Sequence, residues 1–179
     1  MVGVIHKLSY GIANYIKKSE PEATASVAVM QYSLYIILHS LFTAAIIFII
    51  GAATGRFFET FIGLAFFVVL RLIAGGYHLH SSTLCTILSI ALINAAPFVS
   101  MPDRWIPVVT IVCAIFVLIY APRNFKGYAR IPERYYPYMK IVAFAVVCSN
   151  LFWHSATIGF VSVLHTAMLV PQQKGGENE

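Results

Sequence analysis

Charge is what this sequence has least of. Lys, Arg, Asp and Glu together make 11% of the 179 residues, while 59% are hydrophobic. An ordinary soluble domain carries about 25% charged residues. A chain this short cannot hide so much apolar surface in a water-soluble core, so the scarcity of charge makes lipid the solvent for most of it. Cysteine is scarce too. Cys85, Cys113 and Cys148 are three in number and irregularly spaced, which excludes a disulfide framework and a zinc-finger pattern. Acidic residues number seven against twelve basic ones, for a net charge of +5. The basic residues are dispersed in short connections between apolar runs, so the excess is not a nucleic-acid footprint, and no nucleic-acid partner is expected. Such charges set orientation in a membrane. Also missing are an internal repeat, a low-complexity region, and the ten-residue alternation that a membrane barrel needs.

What is present is a series of apolar runs. A spanning helix needs roughly 20 apolar residues. Runs of that kind occupy about Met30–Ile50, Phe57–Leu72, Leu84–Val99 and Trp105–Tyr120. Tyr138–Val170 is too long for one span, and its middle, "SNLFWHSAT", is polar enough to turn, so it reads as two short helices. Helices are the default because open-edged strands leave unpaired backbone in lipid. The expected fold is all-α: a polytopic integral membrane helix bundle of about six membrane segments, forming a single domain over 1–179. The N-terminus lacks the uninterrupted apolar core of a signal peptide. Val4, Ile5, Leu8, Ile12 and Ile16 recur at helical spacing beside Lys7, Lys17 and Lys18, so 1–22 reads as an amphipathic helix, lying on a membrane face or packed on the rest of the protein. The tail "PQQKGGENE", 171–179, reads as a disordered end. Ten of the twelve basic residues fall on the side of the N-terminus, which makes that side the cytoplasm. Both termini, the stretch after the second span and the basic loop after the fourth are then cytoplasmic.

The second of those apolar runs ends in "RLIAGGYHLHSSTLC", residues 71–85. Gly75 and Gly76 break the helix, since glycine is costly in a helix and free to adopt unusual dihedrals. Ser81 and Ser82 are candidate N-caps for the next one. With Ser82 as cap, Cys85 is the third helical residue. A thiol in a helix's first turn feels the positive end of the macrodipole, which favours thiolate, the reactive form. On one continuous helix His78 and Cys85 would stand roughly 10 Å apart. A turn between them can fold the imidazole over the thiol, and a Cys with an adjacent His is a common covalent catalyst. Free N–H groups in the first turn of the third span could form an oxyanion hole.

Other readings of the same residues stand beside this one. A Cys and a His in a membrane loop also occur without any chemical role. His78, His80 and Cys85 could ligate a metal, although the segment offers no fourth ligand. Cys113 and Cys148 lie in apolar runs and read as inert packing. His39, Asn94, Asn150, His154 and His165 are intramembrane polar groups that each could bond a neighbouring helix, and one of them could orient His78.

The pattern Arg-x-x-Ala-Gly-Gly-x-His followed after six residues by Cys is made here by Arg71, Ala74, Gly75, Gly76, His78 and Cys85. It resembles the accessory gene regulator B (AgrB) family, bacterial membrane cysteine endopeptidases of quorum sensing. Chain length, the number of hydrophobic segments and the sequence Tyr120-Ala121-Pro122 leading into a basic loop match as well. The resemblance implies a multi-pass protein of the bacterial cell membrane that works as a homodimer without cofactor or metal. Its substrate would be a propeptide with an amphipathic leader, a central signal sequence and an acidic tail. Cys85 would attack at the tail junction with His78 moving the proton, and the substrate's own Cys or Ser would then displace Cys85 and close a thiolactone or lactone ring. Arg71, Gly75, Gly76, Ser82, Arg123, Lys126, Arg130 and Arg134 would bind substrate or support the site. In the loop, Arg123, Lys126, Arg130 and Arg134 stand three to four residues apart with tyrosines between and beyond them. Topology control and attraction to anionic lipid account for them equally well. The competing functions are a non-catalytic transporter and a metal-dependent membrane enzyme. A transporter of six short spans is expected to show paired interrupted helices in two halves, and the chain does not.

Overall fold

A computed structural model describes residues 2–77, 81–123 and 131–170. These residues are helical, with no strand among them. Helices α1 (Val2–Ser19), α2 (Val27–Ala53), α3 (Phe57–Ala74), α4 (Ser82–Ala95), α5 (Trp105–Tyr120), α6 (Tyr136–Cys148), α7 (Asn150–Trp153) and α8 (Ala156–Leu169) follow in order, with 3-10 turns at Ala96–Phe98 and Glu133–Tyr135. The apolar runs of the sequence thus sit on α2, α3, α4, α5 and the α6–α8 group. α2 and α3 are long and apolar enough to cross a membrane, while Thr83–Phe98, Trp105–Tyr120 and Ala156–Leu169 form shorter apolar helices. The expected tail, 171–179, lies outside the described residues.

The chain divides into two compact units, residues 1–49 and 50–179. In the first, α1 turns Ile5, Ser9 and Ala13 inward. Two of the three differ from the apolar stripe read from the sequence, because small residues let helices approach closely. Val4 and Leu8 stay exposed. The Gln31 side-chain amide meets His6 Nε2 at 3.1 Å, and the Tyr35 ring stacks on His39 at 5.7 Å. α1 ends where the Lys17 ammonium donates to the carbonyls of Pro21 and Thr24, which completes the turn before α2.

In the second unit α3, α5, α6 and α8 enclose a core of Leu70, Ala74, Cys113, Ala114, Val117, Ala121, Ala143, Val147 and Leu169. Large apolar side chains are exposed instead: Phe58, Leu72, Ile87, Ile111, Ile119, Ile141 and Phe152 all point outward. A water-soluble bundle reverses that distribution. Glycines set the close contacts. A Cβ on Gly51 would meet Thr60 Oγ1 at 2.9 Å, and one on Gly63 would meet Thr157 Cγ2 at 3.3 Å. Between α6 and α8 the polar middle of the last run makes its turn. His154 adopts φ 47° and the Ser155 hydroxyl caps α8. Asn150, fully buried, holds this corner. Its amide donates to Thr110 Oγ1 at 3.1 Å, and its carbonyl oxygen accepts from the Ser155 N–H at 3.1 Å. Asn150→Leu keeps the branched heavy-atom shape and removes both bonds, stranding a buried hydroxyl and an N–H. Thermal unfolding in detergent is expected to show a loss of about 1–3 kcal/mol, and an unchanged midpoint would show that the corner does not depend on these bonds.

Candidate functional site

The site begins where α3 stops. Gly75 takes φ 74° and ψ −131°, and Gly76 takes φ 119°. Two successive positive φ values are accessible to glycine and strained for other residues, so this pair turns the chain away from the helix axis. α5 ends in the neighbourhood. The Ala121 N–H donates to Val117 O, the Ala121–Pro122 bond is cis, and the chain then pairs Arg123 against Gly75 in a parallel bridge. The Arg123 N–H donates to Ala74 O at 3.0 Å, and the Gly76 N–H donates to Arg123 O at 3.1 Å. The Ala-Gly-Gly and Tyr-Ala-Pro sequences, far apart along the chain, therefore adjoin in space.

The last turns of α8 close the third side. The Tyr77 N–H donates to Met168 O at 2.8 Å. Arg71 reaches down from α3 to donate Nη2–H to Tyr77 O at 2.7 Å, with Nη1 3.6 Å from Met168 Sδ. Arg123 Nη1 donates to Leu169 O at 3.3 Å, and His165 Nε2 donates to Gly75 O at 3.2 Å. Both arginines thus donate to backbone carbonyls, of Tyr77 and of Leu169.

Beyond the segment 78–80 the chain enters α4. Ser81, with extended backbone at φ −90° and ψ 112°, is the N-cap, and its hydroxyl accepts from the Leu84 N–H at 3.3 Å. The cap is Ser81 rather than Ser82, because Ser82 has already entered the helix. Cys85 becomes the fourth helical residue, still in the first turn. Its own N–H donates to Ser81 O at 3.0 Å. The N–H groups of Ser82 and Thr83 have no carbonyl to meet within the helix. Cys85 is partly buried, whereas Cys113 is buried in the core and Cys148 packs against it. The Arg71 guanidinium and the Cys85 thiol lie within electrostatic range of each other.

The structure therefore brings Arg71, Gly75, Gly76 and Arg123 into one junction and sets Cys85 within range of its charge. Arg134 stands apart from these contacts, exposed, with its guanidinium 4.9 Å over the Tyr135 ring. His78, His80, Lys126 and Arg130 lie outside the described residues. Among the described residues no three His, Cys, Asp or Glu side chains gather to hold a metal. A cleft of about 740 Å³ opens between α3, α6 and the α7–α8 corner, lined by Phe66, Val142 and Trp153 among others. Among the described residues no thiol or imidazole lines it. Sequence reasoning singled out His165 only as one of several intramembrane polar groups. The available signal was an ionisable residue within an apolar run.

Gly76→Ala tests the junction. The added Cβ would stand 2.8 Å from Arg71 Nη1, on a backbone at φ 119°. The guanidinium must move off the Tyr77 carbonyl, and the backbone is strained as well. A stability loss of about 1–3 kcal/mol is expected in detergent unfolding; a variant as stable as the parent would show that the turn accepts a side chain.

The profile of accessory gene regulator B matches residues 9–170. An AgrB-like protein of Halalkalibacterium halodurans is 32% identical over 103 residues, which cover 57% of this chain and 52% of the relative. Protein FsrB of Enterococcus faecalis is 29% identical over 113 residues, 61% of this chain and 47% of the relative. The chain spans about half the length of the curated relatives it matches. No solved structure matches it significantly. With its profile running from the middle of α1 to the end of α8, across the whole Arg71–Cys85 segment, the chain belongs to the accessory gene regulator B family.

Proposed function

We propose that this chain is a membrane cysteine endopeptidase that removes the acidic tail of a quorum-sensing propeptide and closes the remaining signal into a thiolactone or lactone. The observation that carries this reading is a partly buried thiol in the first turn of α4, within electrostatic range of Arg71, inside the stretch that the family profile matches. Cys85 is the nucleophile and His78 its base. His78 takes the thiol proton as sulfur attacks the carbonyl carbon at the tail junction. The oxyanion that forms is met by the N–H groups of Ser82 and Thr83, which no carbonyl of α4 takes up. The C–N bond then breaks, and the imidazolium returns its proton to the leaving amine. A thioester joins Cys85 to the signal segment. The substrate's own thiol or hydroxyl gives its proton to His78 and attacks that thioester; the C–S bond to Cys85 breaks as the ring closes, and His78 returns the proton to the Cys85 sulfur. Thioester exchange with a thiol is nearly isoenergetic, so no nucleotide is consumed. Exclusion of water protects the thioester meanwhile.

Arg71 and Arg123 act as structural support in this reading, since their guanidinium groups already serve backbone carbonyls. Arg134, exposed at the start of α6, is left to attract an acidic tail together with Lys126 and Arg130. The helices make six membrane segments, with both termini and the site on the cytoplasmic side, and the protein works as a homodimer. An amphipathic leader confined to the same membrane face would raise the local propeptide concentration.

Co-expression with the small open reading frame adjacent to the gene, followed by mass analysis, tests the reaction. Wild-type protein is expected to give a shortened, ring-closed product. Cys85→Ser and His78→Ala should lower processing by about a thousandfold or more, while His80→Ala is mild and chelators are without effect. An alkylating agent should label Cys85 faster than Cys113 or Cys148 and stop processing. Loss of activity on chelation with His80 essential would replace this reading with a metal enzyme, and processing that survives in Cys85→Ser would end it.

A further inference from the structure

Within the proposed peptidase reading, we infer that His165 is a positioning residue: its buried ring N–H pins the Gly75–Gly76 peptide plane and so holds the turn on which Arg71 is anchored. The plane between two glycines is the least restrained peptide unit in the site. Rotation about ψ of Gly75 and φ of Gly76 turns the carbonyl and N–H over together, and neither residue has a Cβ to oppose it. Two bonds fix the plane from opposite edges. On one edge the Gly76 N–H donates to Arg123 O at 3.1 Å. On the other, His165 Nε2 donates to Gly75 O at 3.2 Å. The first bond is backbone to backbone. The second comes from a side chain ninety residues away along the chain.

His165 is held for this task. It is fully buried, and the Phe67 ring meets it edge-on with centroids 6.3 Å apart. A carbonyl can only accept, so Nε2 carries the hydrogen and Nδ1 keeps a lone pair. Nδ1 is buried and has no hydrogen-bond partner among the described residues. An imidazole in an apolar helix with half its polar capacity unused is costly. A leucine would suit packing alone, so the donor is what the position requires. Release of the Gly75 carbonyl frees the plane to turn. The Tyr77 carbonyl, which Arg71 holds at 2.7 Å, would move with it, and the Arg71 guanidinium, within electrostatic range of Cys85, would lose that anchor.

Two substitutions separate positioning from packing. His165→Leu keeps the bulk and removes the donor; His165→Gln places an amide N–H at a similar reach. Each full-length variant is measured in detergent beside wild type and Cys85→Ser, by steady-state cleavage of the co-expressed propeptide and by hydrogen exchange of the Gly76 and Tyr77 amides. For His165→Leu the expected result is faster exchange at these two amides and kcat lower by about a hundredfold, with KM little changed and only a modest fall in the melting midpoint. His165→Gln should restore protection and bring kcat back to within about tenfold of wild type. Unchanged exchange in His165→Leu, or cleavage at the wild-type rate, overturns the positioning role alone. Equal loss in the Leu and Gln variants with a matching fall in melting midpoint also overturns it, in favour of packing. A wild-type protein that makes no Cys85-dependent product overturns the peptidase reading and takes this role with it.

Discussion

Backbone that leaves a helix among apolar surroundings must find partners within the protein, because no water is there to supply them. The ends of α3, α5 and α8 solve this problem jointly. Each presents carbonyls or N–H groups past its last intrahelical bond, and each completes another's: Arg123 with Ala74 and Gly76, Tyr77 with Met168, Arg71 with Tyr77, and Arg123 again with Leu169. Separate any one end and the other two are left with unpaired groups, each costing about 1–3 kcal/mol when buried. The junction is therefore a constraint on where the helices stop and on how the motif between α3 and α4 begins.

The same economy explains the types of residue found there. Glycine supplies dihedrals that turn the chain within two residues. Arginine presents several donors at once, so Arg71 meets the Tyr77 carbonyl and the Met168 sulfur together, which a lysine ammonium does less well from a single point. Serine at position 81 supplies an acceptor for α4's first turn. Each polar residue answers a backbone requirement first. The thiol then sits on a helix whose start is fixed by the cap, near a charge whose position is fixed by the turn.

The apolar runs were legible because lipid-facing helices need nothing beyond length and hydropathy. Trp105–Tyr120 falls on α5 end for end, and the polar break in the last run marks the α7–α8 corner. The Arg71–Cys85 motif was legible because its residues lie close in sequence. Finer features were not. Two adjacent serines both satisfy the chemistry of a cap, and the backbone angle at Ser81, which composition does not encode, selects between them. Of the apolar stripe expected on α1, Ile5 is buried, while Ser9 and Ala13 take the inward positions beside it, since close approach favours small side chains over large ones. His165 and Asn150 were visible as polar residues in apolar runs. Their partners, a glycine carbonyl and a threonine hydroxyl on other helices, leave no periodic trace in the sequence.

The contacts at Gly51 and Gly63 have a consequence for variation within such a chain. Where hydrocarbon bathes a helix, one aliphatic residue can replace another at little cost, since the medium adapts to any outline. Where two helices touch through a hydrogen atom in place of a side chain, even a methyl group pries them apart. Drift is therefore cheap around the outside and forbidden along a few narrow seams, so the architecture can persist while most of its letters change.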